Sequence, residues 1–207
     1  MINLNVQRPE RNPMPTLRSR AKASRRDALL IAAATLFARS GFNGVSIEDL
    51  GAAVGVSGPA VYRHFTGKQA VLSALLIGAS DDLMTGGQAV VDAATDAPAA
   101  LAALVRFHVR FALDNPDVIR VQDRDLGSLL GTDRHRVRAL QRGYVELWVR
   151  VLGQVHPAVE TALLRMRAHA TFGLINSTPH STAAGAAPAE TVRALLEEMA
   201  LSALTPR

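Results

Sequence analysis

Between Ser46 and Lys68 the chain reads SIEDLGAAVGVSGPAVYRHFTGK. Its reactive side chains suit contact better than catalysis. Ser57, Gly58, Ala60 and Arg63 give one face that is small and polar, narrow enough to enter a DNA major groove. Tyr62, His64 and Lys68 supply hydroxyl, imidazole and ammonium donors that can reach flanking phosphates.

A face of this kind needs a scaffold, and the flanking residues predict one. Ser46 opens a helix with Glu48 and Asp49 in its first turn, where the helix dipole favours acids. Ile47, Leu50 and Val54 form its apolar stripe, and Gly55 stops it. Ser57 caps a second short helix with Pro59 in its first turn, where a missing N–H costs nothing. Gly51 marks the closest approach of the pair, and Val54, Val56 and Val61 lock them together. A preceding helix is expected from an N-cap at Ser24, through Leu29, Ala33, Leu36 and Phe37, to an αL cap at Gly41. A fourth starts at Lys68 and runs into the 80s through Val71, Leu72, Leu75 and Leu76.

Behind this unit the periodicity stays helical. Asp96 and Pro98 start a helix that Asn115-Pro116 breaks. Further helices are expected over 117–130, 133–154 and 158–176, then a loop over 176–188, then a helix over 189–204. No segment alternates with period two for long. The predicted fold is all-α: an N-terminal three-helix helix-turn-helix DNA-binding domain and a C-terminal helical domain for ligand binding and dimerisation. The expected divisions are a flexible basic arm over 1–23, the reader over 24–70 and the body over 71–207.

Composition narrows the function classes. The 207 residues carry a net charge of +5 and are 48% hydrophobic, enough for a real core. Residues 1–26 hold seven basic side chains and one acid, while the remainder holds 16 basic and 17 acidic residues, so the excess sits in the arm. Pro9, Pro13 and Pro15 keep the arm from being a helix. Arg18, Arg20, Lys22 and Arg25 then suit phosphate contact or minor-groove entry, or form a solvated tail.

The absence of cysteine excludes disulfides, thiol catalysis and Cys-ligated zinc. No apolar run approaches the roughly 20 residues of a membrane helix, and the N-terminus lacks a signal peptide's apolar middle, so a cytoplasmic protein without membrane contact is expected. The six histidines have no metal-ligand spacing, and neither a nucleophile elbow nor a Gly-rich loop after a strand occurs. No enzyme, cofactor or metal is expected. The rival readings are a ligand-independent architectural DNA-binding protein and an activator in place of a repressor.

Gly55-Val56-Ser57, then Val61-Tyr62-Arg63-His64-Phe65 and Lys68, resemble the signature of TetR-family regulators, and Ala33, Leu36, Phe37, Gly41 and Phe42 fit the same pattern. The resemblance is strong over residues 24–72. It implies that Ser46 bonds a phosphate and that Ser57, Gly58 and Ala60 lie on base edges. It further implies that Pro59 starts the recognition helix, that Tyr62 and His64 clamp phosphates, and that Lys68 binds phosphate at a helix N-terminus. Arg63 is the candidate for guanine. Glu48 departs from the pattern, because an acid facing DNA costs affinity unless it accepts from a cytosine amine.

The resemblance also implies a homodimer on a palindromic double-stranded DNA operator, released by a small-molecule inducer. The last two helices would pair across the dimer through Leu163, Leu164, Met166, Phe172, Leu195, Leu196 and Met199, or pack only within one chain. Phe111, Arg120, Gln122, Arg124, Tyr144 and Trp148 are candidates for the ligand site. The arginines equally suit a solvated face paired with Asp117, Asp123, Asp125 and Asp133, and Phe111 and Trp148 equally suit a core. The stretches NPDVIRVQDRDLGSL and LINSTPHS are similar to actinobacterial regulators of lipid and acyl-CoA catabolism, which suggests an acyl-CoA or fatty-acid-like inducer.

Overall fold

A computed structural model describes residues 17–181 and 188–205. All its regular structure is helical: α1 (Leu17–Ser40), α2 (Ile47–Ala53), α3 (Gly58–Val61), α4 (Lys68–Asp92), α5 (Ala97–Asp114), α6 (Pro116–Asp125), a 3-10 turn (Leu126–Ser128), α7 (Gly131–Val155), α8 (Thr161–Asn176), α9 (Thr178–Ser181) and α10 (Ala189–Leu204).

The first helix begins seven residues before the expected N-cap at Ser24. From Leu17 to Ser40 there is neither Gly nor Pro, and Leu, Ala, Arg and Lys are strong helix formers. Ser24 is therefore an exposed residue inside α1 rather than a cap. Residues 1–16 of the arm lie outside the described residues. The backbone of 17–23 is helical, which corrects the flexible reading there, and the side chains of Arg18, Arg20 and Lys22 lie outside the described set. The break expected at Gly131-Thr132 is also displaced, since Gly131 is the first residue of α7. The loop expected over 176–188 contains the single turn of α9.

Two apolar clusters organise the molecule. The reader's core gathers Leu29, Phe37, Leu50, Val61 and Phe65 from α1–α3 with Val71, Leu72, Leu75 and Leu76 from α4, and closes with Val121, Leu129 and Val137. The expected division after residue 70 thus falls inside α4, whose first turns complete the reader's core. The body's core gathers Leu104, Val105, Leu147, Trp148, Leu152, Leu164, Ala168, Ile175 and Leu204. α4 runs through both units and packs against α1 at one end and against α5 and α7 along its length.

The two units are also joined by polar contacts. Thr35 on α1 donates to Asp117 on α6 at 2.9 Å. Arg124 on α6 donates to the Phe37 and Ala38 carbonyls at the C-terminal end of α1, where the Phe37 oxygen also accepts from the Gly41 N–H at 2.8 Å. Ser73 on α4 donates to Asp133 on α7 at 2.6 Å.

Candidate DNA-binding face and effector cavity

Ser46 builds a full capping box at the start of α2. Its hydroxyl accepts from the Asp49 N–H at 3.0 Å and donates to Asp49 Oδ2 at 2.7 Å, while its own N–H donates to the same oxygen at 2.8 Å. These donors hold the Asp49 carboxyl below the usual carboxylate range. The hydroxyl foreseen for a phosphate is thus engaged in the cap.

The turn between α2 and α3 is set by two glycines. Gly55 has φ +69°, in the left-handed region that side chains resist. A Cβ on Gly51 would lie 2.7 Å from the Val56 carbonyl oxygen, so only glycine lets α2 close on the turn. The regular part of α3 is four residues long, and Val61 and Phe65 anchor it in the core.

Pro59 and the residues that flank α3 face outward. Tyr62 is 56% exposed, and Ser57, Pro59 and Arg63 are exposed beside it. The Ser57 hydroxyl makes no cap hydrogen bond. Gly58 is buried: a Cβ there would meet Glu48 Oε1 at 3.2 Å, so the unusual acid lies against the start of α3 and not away from it. Ala60 is half-buried. His64 is half-buried, and its Nδ1 faces inward without a hydrogen-bond partner among the described residues.

Lys68 begins α4 and is tied down. Its Nζ donates to the Val45 carbonyl at 2.7 Å and lies 4.6 Å from the centre of the Phe42 ring. No side chain caps the N-terminus of α4, so the first N–H groups of this 25-residue helix remain open to an anion. Arg25 on α1 donates to the Val54 carbonyl at 3.3 Å, and Arg26 lies over the Phe65 ring at 4.4 Å.

The body holds a partly open cavity of about 220 Å³, into which Gln122 and Tyr144 bring two of the foreseen ligand residues. His108, Asn176, Gln141, His169 and Ser80 join them, with Leu83, Val145 and Phe172 as apolar wall. His108 Nδ1 is 3.2 Å from the Tyr144 hydroxyl and Nε2 is 3.2 Å from Asn176 Oδ1. A neutral ring protonated on Nε2 satisfies both contacts, with Nε2–H donating to Asn176 and the tyrosine donating to Nδ1. Burial enforces neutrality. It lowers the His108 pKa to about 4, against a weaker opposing effect of Asn176, and it raises that of Tyr144. Phe172 stacks on His108 at 4.9 Å and on Tyr144 at 5.7 Å, with Trp148 edge-on to it at 5.0 Å.

The other foreseen ligand residues lie elsewhere. Trp148 is fully buried behind the ring cluster, outside the cavity lining. Phe111 lines a separate cleft beside α1. Arg120 pairs with Asp117 at 3.1 Å, and Arg124, paired with Asp125, caps α1. The guanidiniums nearest the cavity are instead Arg138, Arg142 and Arg165. They line an outer pocket of about 400 Å³ that shares Gln141, Val145 and His169 with the inner one, and Arg165 pairs with Glu146 there.

The sequence reading missed His108 and Asn176 as site residues. Their one visible signal is a lone histidine on the otherwise apolar face of Leu101, Leu104 and Val105.

Of seven large hydrophobic side chains exposed among the described residues, four belong to α8 and α10: Leu163, Met166, Leu195 and Met199. Leu164 is buried, and Phe172 and Leu196 pack against the body's own core, so the apolar residues of these helices divide between an inner and an outer face. Among the described residues no helix is long and apolar enough to cross a membrane.

Comparison with known proteins bears on both halves. Residues 29–75 match "Bacterial regulatory proteins, tetR family", and residues 94–204, more than half of the chain, match "Tetracyclin repressor-like, C-terminal domain". The HTH-type transcriptional repressor KstR2 of Rhodococcus jostii is 29% identical over 141 residues, covering 68% of this chain and 69% of that protein. A TetR-family regulator from Bordetella parapertussis superposes with TM-score 0.76 at 25% identity, over 85% of this chain and 93% of that one. AibR, solved in complex with isovaleryl coenzyme A and operator DNA, has TM-score 0.72 at 18% identity, over 84% and 97% of the two chains.

Proposed function

The chain belongs to the TetR family of bacterial transcriptional regulators, and from that premise we propose that it is a cytoplasmic repressor, which binds a palindromic operator as a homodimer and leaves it when a small molecule fills the body. The observation that carries this reading is the outward display of Ser57, Tyr62 and Arg63 at the two ends of a four-residue helix anchored in the core by Val61 and Phe65. Tyr62 and His64 grip phosphates, Arg63 reads guanine, and Ser57, Gly58, Pro59 and Ala60 lie along the groove. Lys68 and the open end of α4 bind a further phosphate, and the exposed Arg25, beside the end of α2, adds positive charge to the reader. Ser46 contributes only by exchanging its bond to Asp49 for a phosphate.

One such reader buries little surface, so two-fold pairing is needed, with half-sites about one helical turn apart. The exposed stripe of Leu163, Met166, Leu195 and Met199 supports pairing through α8 and α10.

The inducer is an acyl-CoA or similar thioester. The neutral donors around His108 and Tyr144 suit a carbonyl within an apolar chamber, and Arg138, Arg142 and Arg165 at the adjoining outer pocket suit phosphates. The AibR complex supports the class, since that protein has the same fold and is solved with isovaleryl coenzyme A. Filling the chamber displaces the body end of α4 and changes the spacing of the two readers. Coupling of roughly 1–3 kcal/mol weakens DNA binding about 5- to 150-fold, provided the released state binds the ligand more tightly.

The test is titration of the purified protein onto DNA upstream of its own gene, at two salt concentrations, against unrelated DNA. Competitor-resistant binding that acyl-CoA thioesters reverse is expected. Specific binding that no thioester reverses removes the inducer class, and weak, competitor-sensitive binding to that DNA and to a selected pool of random sequences removes the repressor reading.

A further inference from the structure

A second cleft lies apart from the chamber around His108. It lies between α1 on one side and α4, α5 and α6 on the other, holds about 620 Å³, and shares no lining residue with that chamber. Its floor is apolar, formed by Leu30, Leu75, Phe111 and Val118. Ile31 stands in it 71% exposed, the most exposed large hydrophobic among the described residues. Burying such a side chain against an apolar partner is favourable. Small residues give the cleft its depth: a Cβ on Gly78 would meet nothing within 4 Å.

The charge around this floor has a single sign. Asp27, Asp82, Asp114 and Asp117 line it, and no Lys, Arg or His does, in a chain whose net charge is +5. Asp117 is engaged by Thr35 and Arg120. Asp27, Asp82 and Asp114 have no ion-pair or side-chain hydrogen-bond partner among the described residues. Carboxylates spread over low-dielectric walls focus a negative potential into the cleft. They are too dispersed to chelate, because no group of three or more acids or histidines among the described residues could hold a metal ion. A compact inorganic cation therefore gains little here. A bulky cation with diffuse charge gains from the rim, from the floor and from the face of Phe111.

We propose that this cleft is a second ligand site, selective for hydrophobic organic cations of the quaternary ammonium or phosphonium class. Its two walls belong to the reader and to the body, so an occupant bridges α1 to α4–α6. The binding step does not depend on the operator or on the acyl thioester, and it is tested without either.

The experiment is calorimetric titration of the full chain with tetraphenylphosphonium, beside tetraphenylborate, an anion of the same shape. One phosphonium per chain is expected, with no saturable binding of the borate that competes with it. Asp82→Asn with Asp114→Asn should weaken the phosphonium at least about tenfold, because two attracting charges are lost. Gly78→Leu, which grows into open space, should abolish binding while leaving the melting temperature in place. The proposal is overturned if the phosphonium does not bind, if the borate binds competitively, or if binding survives both variants. It is also overturned if phosphonium binds only after deletion of residues 1–16, because the chain's own N-terminus is then the occupant.

Discussion

The chain has two tyrosines, and they hold their hydroxyls in opposite ways. Tyr62 is 56% exposed on a helix too short to stand alone, anchored by the buried Val61 and Phe65 beside it. Tyr144 is 4% exposed, stacked on Phe172 and within hydrogen-bonding distance of His108. In the reader the core supports polar groups that stay wet until a partner dries them. In the body the core surrounds His108, Tyr144 and Asn176, which bond one another where an unpaired buried donor costs about 1–3 kcal/mol. Substitutions should therefore separate: changes on the reader's outward face cost binding and spare folding, and changes in the body's ring cluster do the reverse.

The sharpest break would come from Trp148→Ala. The ring is fully buried, so its loss should destabilise the protein by about 3–5 kcal/mol in denaturant unfolding. A cost below about 1 kcal/mol would mean that the ring cluster is not a packed core. Acid comes next. His108 is held neutral with a pKa of about 4, below its ordinary 6.5. Protonation thus favours the unfolded chain: the stability is complete above pH 6.5 and is lost as pH falls from 6.5 to 4, by about 3 kcal/mol in all. Unfolding of wild type and His108→Gln compared across this window should show the extra slope only in wild type.

Tyr62→Ala should weaken operator binding roughly 100-fold, the scale of an interfacial hot spot, while stability moves within about 0.5 kcal/mol. Fluorescence anisotropy paired with thermal melts measures both, and unchanged affinity would break the docking arrangement. The smallest effect tests the reader's scaffold. Ser46→Ala removes the capping-box hydroxyl and should cost about 1 kcal/mol of stability. It also frees Asp49 of one of the hydrogen bonds that lower its pKa, which a titration followed by NMR would register as a rise.

The same division explains what the sequence discloses. The reader is specified by neighbours: Gly51, Gly55, Val61 and Phe65 each act within a few residues, so spacing alone locates the turn, the helices and the outward face. The all-helical architecture and the 189–204 helix are legible for the same reason. The start of α1 is less so, because Ser24 has the chemistry of a cap while nothing before it, back to Leu17, stops the helix. The chamber is assembled from Ser80, His108, Gln122, Tyr144 and Asn176, on five helices, and no local pattern joins them. Arg124 attracts attention as a charge, yet the end of α1 that it caps lies 86 residues away and meets it only once the chain has folded. Glu48 is legible as an anomaly, but its contact with Gly58 needs the turn to be closed first.

Close packing between α4 and α7 also bears on how the chain can drift. A Cβ on Gly87 would lie 2.5 Å from Cε2 of Tyr144 and 3.3 Å from Cδ2 of Leu147. Positions 87 and 144 are thus coupled in descent: an alanine at 87 requires the Tyr144 ring to shift or to be given up. Loss of that ring also removes the hydroxyl that faces His108, so a larger residue at 87 in a descendant marks a chamber whose polar wall has moved or changed.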